Sequence, residues 1–292
     1  TVKKLGYIRN RAAQTIHGIR SGTIGLVVPT IDNTIFAEMI QAFSDEVGLN
    51  GFTILLGTHN YNNAREYDVL RKFLEHRVDG VAVVGLDHSE EVYNLIESQN
   101  IPSVSLWNYA KSSRLICVGA DNFDAGRKIA AHVLAQGYSK ITTLFPPLAG
   151  NDRATSRANG IMKVLEEGGV SPALADQLET LYSISSAKKV VIDYLKSGSR
   201  PDAIICCNDI LALGAVYASQ SLGLSVPEDI AVTGVGDFKG SKEIEPALTT
   251  IRIPAKTIGA LGGAALVQSI ISPEAELENR CCVSDLVTRS TC

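Results

Sequence analysis

Three unbroken apolar runs constrain the fold of this chain more than any other feature: Ile24-Gly25-Leu26-Val27-Val28, Gly80-Val81-Ala82-Val83-Val84 and Ala203-Ile204-Ile205-Cys206-Cys207. A strand with one wet face alternates apolar and polar residues, whereas a strand apolar at every position must be covered on both faces. Amphipathic stretches of helical period lie between such runs. Strands are expected at 24–28, 52–56, 80–84, 103–106, 115–118, 140–145, 178–182, 203–207, 230–235, 249–253 and near 281–288. Helices are expected at 35–49, 64–76, 90–98, 124–136, 155–167, 186–196, 209–222 and 255–271. That alternation predicts an α/β fold of parallel sheets with helices on both sides. So many strands in 292 residues divide into two doubly wound parallel-sheet subdomains, with a ligand cleft between them at the strands' carboxyl ends. The break is expected near Ala120-Asp121-Asn122.

The first 22 residues differ in kind. They hold Lys3, Lys4, Arg9, Arg11 and Arg20 and no acidic side chain, while the whole chain carries 27 Lys+Arg against 31 Asp+Glu. A basic arm on an acidic body suits contact with phosphates; the bland alternative is a solvated leader of chance composition. Asn10 to Gly18 reads as one short helix, with Asn10 as N-cap and Gly18 as its stop. A helix this short is marginal alone in water. Its small and apolar face, Ala12, Ala13 and Ile16, suits a twin helix and offers Ile16 as a wedge between base pairs.

Composition narrows the classes. The chain is 45% apolar and 20% charged with mean hydropathy +0.11, an ordinary globular balance. No apolar run has the length of a membrane span and no signal-peptide core is visible, so a cytoplasmic protein with no membrane partner is expected. Cys117, Cys206, Cys207, Cys281, Cys282 and Cys292 make no CxxC pair and read as reduced thiols. His17, His59, His76, His88 and His132 show no metal spacing, so no metal is expected. Gly234, Gly236 and Gly240 imitate a dinucleotide turn, but Pro246 and the strand at 249–253 leave no room for the long helix such a turn opens, and no cofactor is expected. No G-x-S-x-G elbow or other catalytic constellation is present, which argues against an enzyme.

Polar and aromatic residues collect instead where predicted strands end: Thr30 to Phe36, Trp107-Asn108, Asn151 to Arg157, Tyr182, Asn208-Asp209 and Gly236-Asp237. Each alone is an ordinary loop or helix cap, and for Asn208-Asp209 capping weighs at least as much as ligand contact. Together they describe a polar cleft. Aromatic faces with Asn, Asp and Arg are the composition that binds sugars.

Residues 5–29, LGYIRNRAAQTIHGIRSGTIGLVVP, resemble the hinge region of the lactose-repressor/galactose-repressor family of bacterial transcription regulators. Arg157-Ala158-Asn159-Gly160 looks like the family's R-x-x-G, the segment from Asn208 to Gly214 like its N-D-x-x-A-x-G, and Pro246 to Arg252 like its P-x-L-T-T-[VI]-R. The resemblance covers essentially the whole chain. It implies the architecture of type I periplasmic binding proteins, with residues 1–22 as the end of a helix-turn-helix headpiece and the hinge helix. Residues 23–121 with about 253–278 would form the N-terminal core subdomain, and 122–252 with about 279–292 the C-terminal one. Three passages between the halves would lie near 119–123, 249–254 and 275–281.

The same resemblance, laid on the strand ends, marks Asn33, Phe36, Trp107, Arg153, Arg157, Tyr182, Asn208 and Asp237 as effector-binding candidates. It marks Asn10, Arg11, Ala13, Gln14 and Ile16 as the DNA contacts of the hinge, with Ile16 standing where the family usually has Leu. The implied partners are operator DNA, a small sugar or sugar-acid effector, and a second copy of the chain in a homodimer or higher assembly. One departure bears on the effector. The family's G-[FY]-D-D reads Gly234-Val235-Gly236-Asp237, so an Asp that binds effector in many members is Gly236. Without that carboxylate, and with Arg153 and Arg157 able to reach one anion, a sugar acid is expected over a neutral sugar. The competing reading is an extracytoplasmic sugar-binding protein of the same fold, against which the basic arm counts.

Overall fold

The computed structural model describes residues 20–32, 36–170, 173 and 176–292. The hinge candidates Asn10, Arg11, Ala13, Gln14 and Ile16, and the effector candidate Asn33, lie outside the described residues. The elements run β1 (Thr23–Val28), α1 (Ala37–Leu49), β2 (Thr53–Thr58), α2 (Asn63–Glu75), β3 (Gly80–Val84), α3 (Glu90–Ser98), β4 (Ser103–Asn108), β5 (Ile116–Ala120) and α4 (Asn122–Ala135). They continue with β6 (Ile141–Phe145), α5 (Asp152–Glu167), β7 (Gln177–Glu179), α6 (Ile184–Lys196), β8 (Ala203–Cys206), α7 (Asp209–Ser221), β9 (Ala231–Gly236), β10 (Thr249–Arg252), α8 (Ala255–Ile271), β11 (Arg280–Cys281) and β12 (Asp285–Val287). No described helix is long and apolar enough to cross a membrane.

Two six-stranded sheets result, ordered β11-β5-β4-β3-β1-β2 and β12-β10-β9-β8-β6-β7. Among the described residues every pairing is parallel except that of β12 with β10. The unbroken apolar runs are explained by helices on both faces. Val27, Val81 and Val83 face Leu70 and Phe73 of α2 and Val92 and Ile96 of α3. Their alternate neighbours Leu26, Val28, Ala82 and Val84 join the core of Met39 and Phe43 of α1 and Leu266 of α8. Period two therefore persists in direction while hydrophobicity does not alternate.

Two boundaries differ from expectation. The strand expected at 178–182 is Gln177–Glu179, which leaves Tyr182 in the turn before α6. The strand expected near 281–288 is two short ones, and they belong to different sheets. Arg280 and Cys281 pair in parallel with β5, and the Cys282 amide adds a hydrogen bond to the Gly119 carbonyl at 2.7 Å. Asp285–Val287 lies antiparallel on β10. The third passage between the sheets thus falls at 282–284 instead of 275–281, and residues 279–281 go with the first sheet. A chain segment stays with the ladder that satisfies its backbone, a preference that side-chain hydropathy does not reveal.

Candidate functional site

The loops at the strands' carboxyl ends are polar first of all because they start helices. Asn62, Asp121, Asn151, Ser183 and Asn208 each accept the amide three residues on, from Arg65, Asp124, Ala154, Ser186 and Leu211, at 3.1, 2.9, 3.3, 3.4 and 3.0 Å. These caps orient the first turns of α2, α4, α5, α6 and α7 toward one region. Asn208 is buried, and its side-chain oxygen serves the cap.

α4 and α5 approach backbone to backbone, because a methyl group on Gly126 would collide with the Arg157 carbonyl and one on Gly160 with the Phe123 carbonyl. This approach lets Arg157 Nη1, on α5, donate to Asn122 Oδ1 at the start of α4 at 2.6 Å. Asn122 Nδ2 donates to Asn108 Oδ1 at 3.0 Å, and Asn108 Nδ2 to Asp152 Oδ2 at 2.9 Å. The Leu86 amide donates to the same Asp152 oxygen at 2.7 Å. The chain Arg157–Asn122–Asn108–Asp152–Leu86 therefore bridges the halves. Burial alone would raise the Asp152 pKa, but Arg153 and the donors around it hold the carboxyl below its ordinary value.

A cavity of about 810 Å³ opens beside this bridge. Thr30, Asp32, Asn60 and Tyr61 line it from the first half, and Tyr182, Ser183, Ile184, Ser185, Lys188 and Ile210 from the second. It lies at the carboxyl ends of both sheets, where open α/β sheets bind ligands. Tyr61 and Tyr182 stack across the halves with ring centroids 5.7 Å apart. The Tyr182 hydroxyl accepts from Asn151 Nδ2 at 3.0 Å, and burial pushes this phenol far above its ordinary pKa, so it stays neutral.

Arg157 is 4% exposed, and its Nε is buried without a hydrogen-bond partner. Its electrostatic neighbours are Cys207, Tyr182 and Tyr61. No carboxylate pairs with it among the described residues. A buried guanidinium in that state carries a desolvation cost that an anion would offset.

The other candidates are placed differently from one another. Phe36 and Trp107 are buried edge to face with centroids 5.0 Å apart, and Trp107 holds a φ of 81°, strained for so bulky a residue. Arg153, expected as a second anion ligand, is engaged within the protein instead. Its Nη1 is engaged by Asp152 Oδ1 at 2.7 Å and by the Val84 carbonyl at 3.2 Å, because the α5 amino terminus abuts β3. Asp237 does not replace the missing family carboxylate as a free group, since Arg252 Nε holds one of its oxygens at 2.7 Å and Arg289 Nη2 the other at 2.6 Å. Gly236 has a φ of 143°, a backbone that side chains rarely adopt, so the departure at this position is structural as well as chemical. Asp209 accepts from Ser241, Thr250 and the Asp237 amide at 2.5, 2.6 and 2.7 Å, and burial pushes its carboxyl up to about 6. It organises the C-terminal half instead of facing the cavity.

Sequence reasoning missed Tyr61, although the run His59-Asn60-Tyr61-Asn62-Asn63 after a strand has the polar and aromatic signature used elsewhere. It also missed a buried cluster beneath the bridge. His88 Nδ1 lies 2.9 and 3.0 Å from the two Glu66 oxygens and its Nε2 lies 3.0 Å from the Gly85 carbonyl. Both ring nitrogens face acceptors, which fits an imidazolium. Burial alone would lower its pKa, but Glu66, the Gly85 carbonyl and Asp152 together raise it. No group of His, Cys, Asp and Glu suited to a metal ion occurs among the described residues.

The bridge gives a test of cleft closure. Gly85 has a φ of 107°, and a methyl group there would strike Arg153 Nη1 and lie 3.0 Å from Asp152 Oδ1. Gly85→Ala is expected to disfavour the bridged arrangement by about 1–3 kcal/mol. Small-angle scattering of the ligand-free variant should show a larger radius of gyration than the wild type; superimposable curves would count against the bridge as a closing contact.

Residues 130–292 match the model of a periplasmic binding protein-like domain family. Among characterised proteins, the chain is 30% identical over 273 residues to the HTH-type transcriptional regulator GntR of Pseudomonas aeruginosa, covering 93% of this chain and 79% of that protein. It is 27% identical over 273 residues to the HTH-type transcriptional repressor PurR of Photorhabdus laumondii, with 93% and 80% covered. Among solved structures, the transcription regulator GntR from Chromobacterium violaceum superimposes with a TM-score of 0.85 at 30% identity, covering 92% of this chain and 98% of that one.

Proposed function

This chain belongs to the lactose-repressor/galactose-repressor family of transcription regulators, and from that premise we propose that it is an operator-binding repressor whose grip on DNA is set by a small sugar-derived acid held in the cleft. The protein acts in the cytoplasm, where its DNA is. The observation that carries the acid is Arg157: a buried guanidinium with an unpartnered Nε and no paired carboxylate among the described residues, beside the cavity-lining Tyr61 and Tyr182. Lys188 adds a second cation at the cavity wall. A carboxylate can accept two parallel bonds from a guanidinium, whereas a neutral hydroxyl offers less to a buried charge. The remaining hydroxyls of the ligand would meet Asn60, Ser183 and Ser185.

Regulation follows from the two halves. An effector that binds one cleft geometry shifts the population toward it, and the spacing of the amino-terminal halves in a dimer decides whether two hinge helices can fold together on DNA. A paired, palindromic site requires a two-fold axis. The chain is therefore expected to be a homodimer joined along the outer faces of α2 and α3, and light scattering at micromolar concentration should give twice the chain mass. A monomer under those conditions would remove the geometric basis of the mechanism.

The effector reading is tested by calorimetry of aldonates and uronates against their parent sugars. The acids should bind and the parent sugars should bind far more weakly. A preference for the neutral sugar would end the acid assignment while leaving the regulator intact.

A further inference from the structure

The point where the basic arm meets the core is held by a side chain that the effector mechanism does not use. Asp79 precedes β3 at the end of the sheet opposite the cleft. Its Oδ1 accepts the Ser21 amide at 2.9 Å and its Oδ2 the Gly22 amide at 2.6 Å. Gly22 has a φ of 70°, so two successive amides turn toward one carboxylate, the geometry of a backbone nest. The same turn is stitched to both neighbours of β1. The Thr53 amide donates to the Gly22 carbonyl at 2.9 Å and the Asp79 amide to the Thr23 carbonyl at 2.8 Å.

The residue just before this turn is fastened elsewhere. Arg20 Nη2 donates to the Ile270 carbonyl at 2.6 Å. Ile270 lies in the last turn of α8, where carbonyls lack partners within the helix and a cation is favoured. The opposite end of α8 begins at Ala255, immediately after the chain leaves β10 of the second sheet. One 17-residue helix, about 25 Å long, thus has a passage between the halves at one end and the root of the arm at the other.

We propose that Asp79 is a positioning residue for DNA binding: with Arg20 seated on the carboxyl end of α8, it fixes the point and direction from which the arm departs the core. The proposal rests on the reading of that arm as the DNA-contacting segment. Asp79 lies at the amino-terminal end of its strand and the effector cavity at the carboxyl ends, so the residue should affect operator binding without affecting effector binding.

The test uses Asp79→Asn, which keeps the shape of the side chain but turns an amide donor toward one of the two backbone amides, and Arg20→Ala, which spares the core. Tryptic cleavage after Arg20 is followed by mass spectrometry, and operator affinity and effector affinity are measured at fixed salt. Asp79→Asn should be cut after Arg20 at least about tenfold faster and bind operator at least about tenfold more weakly, as expected for a lost charge-assisted hydrogen bond. Arg20→Ala should weaken operator binding in the same direction, which keeps the proposal testable if Asp79→Asn folds poorly. Effector affinity should be unchanged in both. Wild-type operator affinity in both variants, whether or not Asp79→Asn is cut faster, would overturn the proposal, because a purely structural anchor would change cleavage and melting alone. A wild-type protein that binds no operator would instead sink the regulator reading, and an unchanged cleavage rate would then overturn the anchor as well.

Discussion

Replacing Arg157 by Met should abolish acid binding while leaving the ligand-free protein as stable as the wild type. Truncating one partner of a buried, hydrogen-bonded charge pair costs about 2–5 kcal/mol of binding, roughly 30-fold to several thousand-fold in affinity. Stability responds differently because the cation has no carboxylate partner among the described residues of the ligand-free protein. The bond to Asn122 Oδ1 is worth about 1.5–3 kcal/mol, and removing the charge returns a desolvation cost of several kcal/mol. These nearly cancel, so the melting temperature should stay within about 5 °C of wild type. The ligand-induced rise in melting temperature should disappear, since only a ligand bound to the native state produces it. An Arg157→Met protein that binds the aldonate like wild type would remove Arg157 from the site. One that unfolds would show that Arg157 holds the fold and not the ligand.

The opposite pattern is expected for Glu66→Gln: loss of stability without loss of ligand specificity. The Glu66 and His88 side chains are each 2% exposed, and the carboxylate lies 2.9 Å from the ring. Removing one partner of such a pair costs about 3–5 kcal/mol, on the order of 10 °C in melting temperature for a chain of this size. The pH dependence adds a signature. The folded pKa of His88 is raised above its ordinary 6.5. Its contribution is therefore fully present below about pH 6.5 and is lost as pH rises through the folded value. Wild-type melting should fall on that alkaline side, and Glu66→Gln should melt low and vary less across the same range. Equal melting of the two proteins at pH 6 would show that the pair contributes nothing.

The parts of this molecule legible in its sequence are those set by local rules. Buried parallel strands announce themselves because helices cover both faces, so β1, β3 and β8 need no partner to be recognised. Polar strand ends were also visible, but two causes were superimposed there. Asn151 and Asn208 are polar because α5 and α7 need caps, whereas Asn60, Tyr61 and Tyr182 line the cavity. A capping residue and a ligand residue look alike until their hydrogen bonds are known. Arg153 illustrates the limit most clearly. Its spacing from Arg157 allows both to reach one anion, and only the contact of α5 with β3 assigns it to Asp152 and Val84. The division at β11 and β12 was hidden for a related reason, since two- and three-residue strands carry too few side chains to declare which sheet they join.

One ligand in the cleft is expected to control the grip of the arm on DNA. Fluorescence anisotropy of the full-length protein with its operator, selected from a pool of random duplexes, measures this directly. The logarithm of affinity should fall linearly with the logarithm of salt. An aldonate at saturating concentration should weaken operator binding at least about tenfold, the range of ordinary allosteric coupling. Arg157→Met should bind the same operator and ignore the aldonate. Operator affinity that is identical with and without an acid shown by calorimetry to occupy the cleft would show that the cleft does not control the arm.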